Sequence, residues 1–170
     1  MFERDDIKAA IELRHDLHRH PELRYKEFRT AERVATLLKQ KGYQVTTGVA
    51  GTGVVALLDT GRPGPVVALR ADMDALPIPE VSRHDHVSQT PGVMHACGHD
   101  GHTAALMLAA DALIQRRDRL CGQIKLIFQP AEEGGNGADK MIQEGVLENP
   151  TVDYIFGFHN RPGFLSLIHI

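Results

Sequence analysis

Residues 94–110 read MHACGHDGHTAALMLAA, a segment rich in histidine and cysteine that runs directly into an apolar one. The apolar half, residues 104–110, would present alanine, leucine and methionine on every face of a helix, so we expect a buried helix over 101–116. Strands are predicted on both sides of it, at 65–70 and 123–128. A buried helix between strands indicates a mixed α/β fold built in layers.

The rest of the chain alternates helix and strand patterns without an internal repeat or an interdomain linker. The loop is predicted from its prolines and its lack of a period, and the last strand is expected to be buried because it is almost wholly apolar. We predict helices over 6–19, 26–41 (closed by Gly42) and 137–145, strands over 43–47, 53–58 and 154–158, and a loop over 77–96.

Composition excludes several classes of protein. The chain has 170 residues, 42% of them apolar, with ten histidines and a net charge of −3. This suits one domain with a real core. A basic excess that would indicate nucleic acid is absent, as is an apolar stretch near the ~20 residues of a membrane span. The first residues lack a signal-peptide pattern and there are only two cysteines, so we expect a reducing, cytoplasmic location.

Three groups of polar residues directly follow predicted strands, where open α/β sheets place their ligands. In the first, Asp72 and Asp74 leave the strand at 65–70. At alternating strand positions the two carboxylates would point the same way. On this segment alone, a solvated turn with a helix cap is an equally good interpretation.

The second group precedes the buried helix. Cys97 and His99 flank Gly98, which lets the backbone bend so that both side chains could reach one ion. Thiolate and imidazole are ligands of borderline metals such as zinc, and a helix N-terminus favours the thiolate. A buried cysteine among polar caps is the weaker alternative. The group comprises His95, Cys97, His99, Asp100 and His102.

The third group is Glu132 and Glu133, directly after the strand at 123–128, and His159 follows the last strand beside Asn160. Adjacent buried carboxylates are costly unless neutralised. A metal would neutralise one and leave the other as a general base. An exposed acidic turn and a structural histidine are the alternatives.

The N-terminal histidines His15, His18 and His20 could also bind a metal, with His15 and His18 on one helix face. No strand end brings a carboxylate near them, so we expect a structural or supporting role. Motifs for a serine nucleophile, a P-loop or a dinucleotide site are absent. A Cys97 nucleophile with a histidine partner stays open, although it would give Glu132 and Glu133 no purpose.

The motifs together resemble those of the metal-dependent amidohydrolases of peptidase family M20, above all the branch with hippurate hydrolases and auxin-conjugate hydrolases. The most specific combination is MHACGHDGH at 94–102 with QPAEEG at 129–134. The resemblance rests on residues 18–23, 70–77, 94–103, 128–134 and 157–160.

The resemblance implies a role for each matching residue. Cys97, His99, Glu133 and His159 match the metal ligands, Glu132 the general base, and Asp74 an acidic catalytic group near the metals that orients a ligand. Asp72, His95, Asp100 and His102 are expected to support the ligands. The implied cofactors are divalent metal ions, two per site, with zinc or manganese preferred and cobalt or nickel also compatible.

The implied fold is the three-layer α/β/α catalytic domain of zinc exopeptidases, with a mixed sheet. The implied reaction hydrolyses the amide of a small N-acyl amino acid through a metal-activated water. Neither nucleic acid nor a membrane is an implied partner.

Length is where the chain departs from the family. Family members are longer, with a second domain that covers the site and often mediates their homo-oligomerisation, and with one more histidine ligand. We therefore expect residues 1–164 to be the N-terminal part of the catalytic domain and 165–170, with His169, to be an atypical tail. The alternative function is a truncated, non-catalytic, metal-binding fragment.

Overall fold

The computed structural model describes residues 4–160 and shows a five-stranded sheet with helices on both faces. Across these residues, no helix is long and apolar enough to cross a membrane. The elements are α1 (Arg4–Arg19), α2 (Phe28–Gln40), β1 (Gln44–Val49), β2 (Gly53–Asp59), β3 (Val66–Asp72), α3 (His99–Gln115), a 3-10 turn (Arg117–Arg119), β4 (Gln123–Gln129), α4 (Gly137–Gln143) and β5 (Tyr154–Gly157).

The sheet is mixed, as predicted. Its strand order is β1-β2-β4-β3-β5. Strands β1, β2 and β4 pair antiparallel, whereas β3 pairs parallel with both β4 and β5. The carboxyl ends of β3, β4 and β5 therefore meet at one edge of the sheet.

The side chains of β4 alternate between two cores and so define three layers. Leu126 and Phe128 are fully buried in the larger core, which α1, α2 and α3 cover. Ile127 faces the smaller core with Met141 of α4. Full burial of such side chains contributes about 1.5–3 kcal/mol each. The predicted α/β/α layering is confirmed.

Helix α2 shows how the sequence sets an element's bounds. Its apolar face buries Val34, Ala35 and Leu38. The backbone N–H groups in the first turn of a helix have no partner within the helix. In α2, the carboxylate of Glu22, which precedes the helix, accepts hydrogen bonds from the backbone N–H groups of Arg29 and Thr30, at 3.0 and 2.8 Å. The chain turns after the helix at Gly42, whose φ of +90° favours glycine.

Two predictions about buried elements need correction. Helix α3 starts at His99 rather than at 101, and it is not buried on every side, because Ala105 is exposed. Strand β5 is not buried either: Tyr154 and Phe156 are each 60% exposed. β5 lies at the edge of the sheet, hydrogen-bonded only to β3 among the described strands, so its apolar residues lack the cover that a central strand has.

The predicted loop at 77–96 is confirmed, with only an isolated bridge between Leu76 and Met94 at its ends. The tail at 165–170 and His169 lie outside the described residues. The domain boundary after residue 164 therefore stays a prediction.

Candidate metal centre

The polar groups that follow β3, β4 and β5 converge at the shared carboxyl edge of the sheet. Asp72 ends β3, Glu133 follows β4 and His159 follows β5, while Cys97 and His99 approach from the start of α3. The structure thus brings together residues that are far apart in sequence.

His99 lies at the centre of this convergence. Its side chain is fully buried, and neither ring nitrogen has a hydrogen-bond partner among the described residues. Its Nε2 atom is 3.7 Å from Asp72 Oδ2, 3.8 Å from Glu132 Oε2 and 3.9 Å from Glu133 Oε1. Its Nδ1 atom is 3.3 Å from Asp74 Oδ1, without hydrogen-bond geometry.

Two sets of possible ligand atoms share His99. In each set, all ligand atoms lie within 4.8 Å of one another. Cys97 Sγ is also 3.7 Å from His159 Nε2, which links the two sets. One set is Cys97, His99 and Glu133, and the other is Asp72, His99, His102 and His159.

In the second set, both ring nitrogens of His102 already have partners. Its Nδ1 atom is hydrogen-bonded to Asp72 Oδ1 at 2.7 Å, and its Nε2 atom contacts Asn160. The other oxygen of Asp72 accepts a hydrogen bond from Arg70 at 2.7 Å. His102 is therefore placed to orient Asp72 and Asn160, and it has no free nitrogen for an ion.

Asp74 is hydrogen-bonded to the backbone of Glu132 and Glu133, the acidic pair that follows β4. Its two oxygens accept hydrogen bonds from the backbone N–H groups of Glu132 and Glu133, at 3.0 and 2.9 Å. The side chains of Glu132 and Glu133 are 37% and 26% exposed, so the pair is less buried than the sequence indicated. Both carboxylates are accessible from solvent and still close to His99.

The carboxylates remain acidic in spite of their burial. Burial alone would raise the pKa of Asp72, but the hydrogen bond from His102 and the charges of His99 and Arg70 hold it below its usual value. For Asp74, burial is likewise outweighed by His99 and by the two backbone N–H groups, which lower its pKa. Burial also acts on His99, but the neighbouring carboxylates outweigh it and raise the pKa of that imidazole.

Cys97 differs from the expectation that the helix N-terminus favours its thiolate. Burial, together with Glu133, raises the pKa of the Cys97 thiol to about 11. Burial and the neighbouring carboxylates therefore oppose the thiolate that the helix N-terminus would favour.

Two of the predicted supporting residues point elsewhere. Asp100 is hydrogen-bonded to His18 Nδ1 at 2.8 Å and to Arg14 Nε at 3.3 Å. His95 is buried, with no hydrogen-bond partner for either ring nitrogen in the described structure, and burial lowers its pKa to about 4. It lies beside His18, with ring centroids 6.3 Å apart.

The structure adds a residue that the sequence did not predict. Glu27 is fully buried and accepts hydrogen bonds from Thr52 Oγ1 at 2.5 Å and from the backbone N–H of Ala131 at 2.8 Å. Ala131 has a positive φ of 52° immediately before the acidic pair. Glu27 therefore fixes the turn that presents Glu132, over a separation of more than a hundred residues that no local pattern signals.

The N-terminal histidines also need a correction. We expected no strand end to bring a carboxylate near them, yet His18 contacts both Asp100 of α3 and Glu80 of the loop, the latter at 3.2 Å. The missed partner comes from a loop rather than from a strand end.

The donor atoms at the sheet edge suit a borderline divalent cation. Thiolate, imidazole and carboxylate are the ligands that zinc and its neighbours take from proteins. His99 is fully buried with neither ring nitrogen hydrogen-bonded within residues 4–160, and the carboxylates around it concentrate negative charge that a divalent cation would neutralise. The residues present therefore fit the metal ions that the motifs imply.

Comparison with known proteins identifies the family of the chain. The profile of peptidase family M20/M25/M40 matches residues 68–169, and the chain belongs to that family. The resemblance read from the motifs is thereby confirmed.

Relatives and a solved structure add detail. The chain is 46% identical to a hippurate hydrolase of Campylobacter jejuni, over 92% of this chain and 41% of the relative. It is 47% identical to an N-acetyl-L-cysteine deacetylase of Bacillus subtilis, over 91% of this chain and 37% of the relative. A crystal structure of a dinuclear metal-binding M20 peptidase from Bacillus subtilis matches with a TM-score of 0.89 and 42% identity, over 95% of this chain and 45% of that one. The chain spans about two-fifths of the length of these curated relatives.

Proposed function

We propose that the chain contributes the metal centre of an enzyme that hydrolyses the amide bond of N-acyl amino acids. The observation that carries this proposal is the convergence of Cys97, Glu133 and His159 on His99, whose ring nitrogens have no hydrogen-bond partner in the part of the chain that the structure describes. The names of the similar proteins, a hippurate hydrolase and an N-acetyl-L-cysteine deacetylase, support this substrate class.

In this proposal, Cys97, His99, Glu133 and His159 would hold two divalent ions, of which zinc and manganese are the preferred candidates. When bound, such an ion acts as a Lewis acid that polarises the amide carbonyl. Asp72 and His102 orient neighbouring groups through their mutual hydrogen bond.

Glu132 is the proposed general base. Its carboxylate is 3.8 Å from His99 and 37% exposed, so it can reach a water molecule next to the ligands while remaining open to solvent. It takes a proton from the attacking water and returns it to the leaving amine. Asp74 positions Glu132 through its backbone N–H.

A cysteine nucleophile is the competing mechanism. It would leave Glu132 and Glu133, whose carboxylates lie 3.8 and 3.9 Å from His99 Nε2, without a role. Alkylation that abolishes activity while chelators leave it intact would revive that mechanism.

The test is release of glycine from hippurate by the purified chain before chelation, after chelation and after metal is restored. We expect chelation to abolish release, metal to restore it, and Glu132→Gln to lower turnover by about 10²–10⁴-fold with metal still bound. Glu12→Gln is the matched control, because Glu12 is a surface residue of α1 that is 68% exposed. Hydrolysis that survives full chelation would contradict the proposal.

The length of the relatives motivates one alternative outcome. Because the chain spans about two-fifths of those relatives, residues beyond it could be needed for turnover. Stoichiometric metal binding without release of glycine would favour the metal-binding, non-catalytic alternative for the chain by itself.

A further inference from the structure

We propose that His18, Glu80 and His84 form a second divalent-metal site, distinct from the ligands at the sheet edge. His18 lies in α1, and Glu80 and His84 lie in the loop that precedes α3. The site would take a borderline ion such as Zn²⁺, Ni²⁺ or Cu²⁺, because two imidazoles and one carboxylate provide its ligands.

The three ligand atoms have the spacing of a coordination sphere. Glu80 Oε1 is 3.2 Å from His18 Nε2 and 3.0 Å from His84 Nε2, and all three atoms lie within 4.8 Å of one another. Zinc ligands bond at about 2.0–2.2 Å, which separates neighbouring donor atoms by roughly 3.4 Å at tetrahedral angles. An ion could therefore enter with small movements of side chains.

His18 has the orientation of a metal ligand. Its Nδ1 atom is hydrogen-bonded to Asp100 Oδ2 at 2.8 Å, which directs Nε2 towards Glu80. Ligating histidines commonly donate their second ring N–H to a carboxylate in this way. The side chains of His18 and Glu80 are only 6% and 3% exposed, so their relative position is fixed by packing.

His84 supplies both a ligand and a path for entry. Its side chain is 36% exposed, whereas the other two ligands are buried, so an ion can reach them past His84. Its Nδ1 atom is buried and has no hydrogen-bond partner in the described structure. His86 stacks on His84 and on His15, with ring centroids 3.9 and 3.8 Å apart.

Hydrogen bonding alone also accounts for the position of His18. A cation-free alternative remains for His18: a protonated imidazole that bridges Asp100 and Glu80 would satisfy the same distances. The two arrangements differ in whether they bind metal.

Zinc stoichiometry separates these arrangements. The purified chain is dialysed to equilibrium against Zn²⁺, and bound zinc is measured by atomic absorption for the wild type, His84→Gln and Glu80→Gln. His20→Gln is the matched control, because His20 directly follows α1, which carries His18, but bonds to the backbone carbonyl of Asp16 instead. We expect the wild type and the control to bind one more equivalent than the other two variants.

A rescue variant distinguishes the loss of a zinc ligand from a defect in folding. His84→Cys replaces one zinc ligand with another and should restore the lost equivalent, which repair of packing alone would not do. Equal zinc content in the wild type and His84→Gln would overturn the proposal, and so would failure of His84→Cys to restore it. Because only the difference between variants is measured, failure of the sheet-edge site would appear separately, as a loss common to all of them.

Discussion

His99 is the residue on which both candidate ligand sets depend. A buried polar group without a partner costs about 1–3 kcal/mol, and both ring nitrogens of the fully buried His99 lack a hydrogen-bond partner among residues 4–160. Proteins retain such a destabilising arrangement mainly at sites that function requires. Coordination of a cation by one ring nitrogen of His99, together with Cys97 and Glu133, would offset part of this cost.

Gly98 positions Cys97 and His99, and replacing it should weaken metal binding. Its φ is +83°, and a Cβ atom there would lie 3.2 Å from the Asn160 side chain. A left-handed conformation costs a residue with a Cβ atom about 1–2 kcal/mol. We expect Gly98→Ala to lower stability by that amount and to reduce zinc affinity, measured by competition with a chromophoric chelator.

Gly92→Ala is the matched control for this prediction. Gly92 has a similar φ of +77°, but a Cβ atom there would meet nothing within 4 Å. It should lose comparable stability and keep the zinc affinity of the wild type. Equal affinity in Gly98→Ala would show that the glycine does not position the ligands.

Among the elements, β4 has a second role besides carrying the acidic pair. Lys125 is 3% exposed and donates hydrogen bonds to the carbonyl oxygens of Val146, Glu148 and Pro150, at 2.9, 2.8 and 2.9 Å. These bonds hold the segment between α4 and β5, and β5 leads directly to His159. Burial lowers the pKa of Lys125, yet all three donors of the ammonium group are used.

Lys125→Met should destabilise the domain by about 2–4 kcal/mol, because it leaves three carbonyl groups without their donor. Urea unfolding followed by circular dichroism measures the change. Lys8→Met is the control, since Lys8 is 74% exposed in α1 and should change stability by less than about 0.5 kcal/mol. An unchanged midpoint in Lys125→Met would contradict the anchoring role.

At the scale of the whole molecule, the sheet topology unites the site. Strand β4 lies between β2 and β3, antiparallel to one and parallel to the other. This arrangement puts the carboxyl ends of β3, β4 and β5 at one edge, and the start of α3 closes the space beside them.

Local patterns predicted nearly all of the elements and the position of each polar group after a strand. They could not predict contacts that only the tertiary fold creates, such as Glu27 with Ala131 or Glu80 with His18. They also placed β5 in the core, because apolar residues look alike in an edge strand and in a central one. Strand order, which decides between the two, depends on long-range pairing.

The most direct test of the central claim is anomalous diffraction at the zinc edge from crystals of the zinc-loaded chain. We predict peaks at the sheet edge within about 2.0–2.3 Å of ligand atoms from Cys97, His99, Glu133 and His159. A zinc-loaded crystal whose sheet edge shows no peak, or a peak bound by other side chains, would contradict the account.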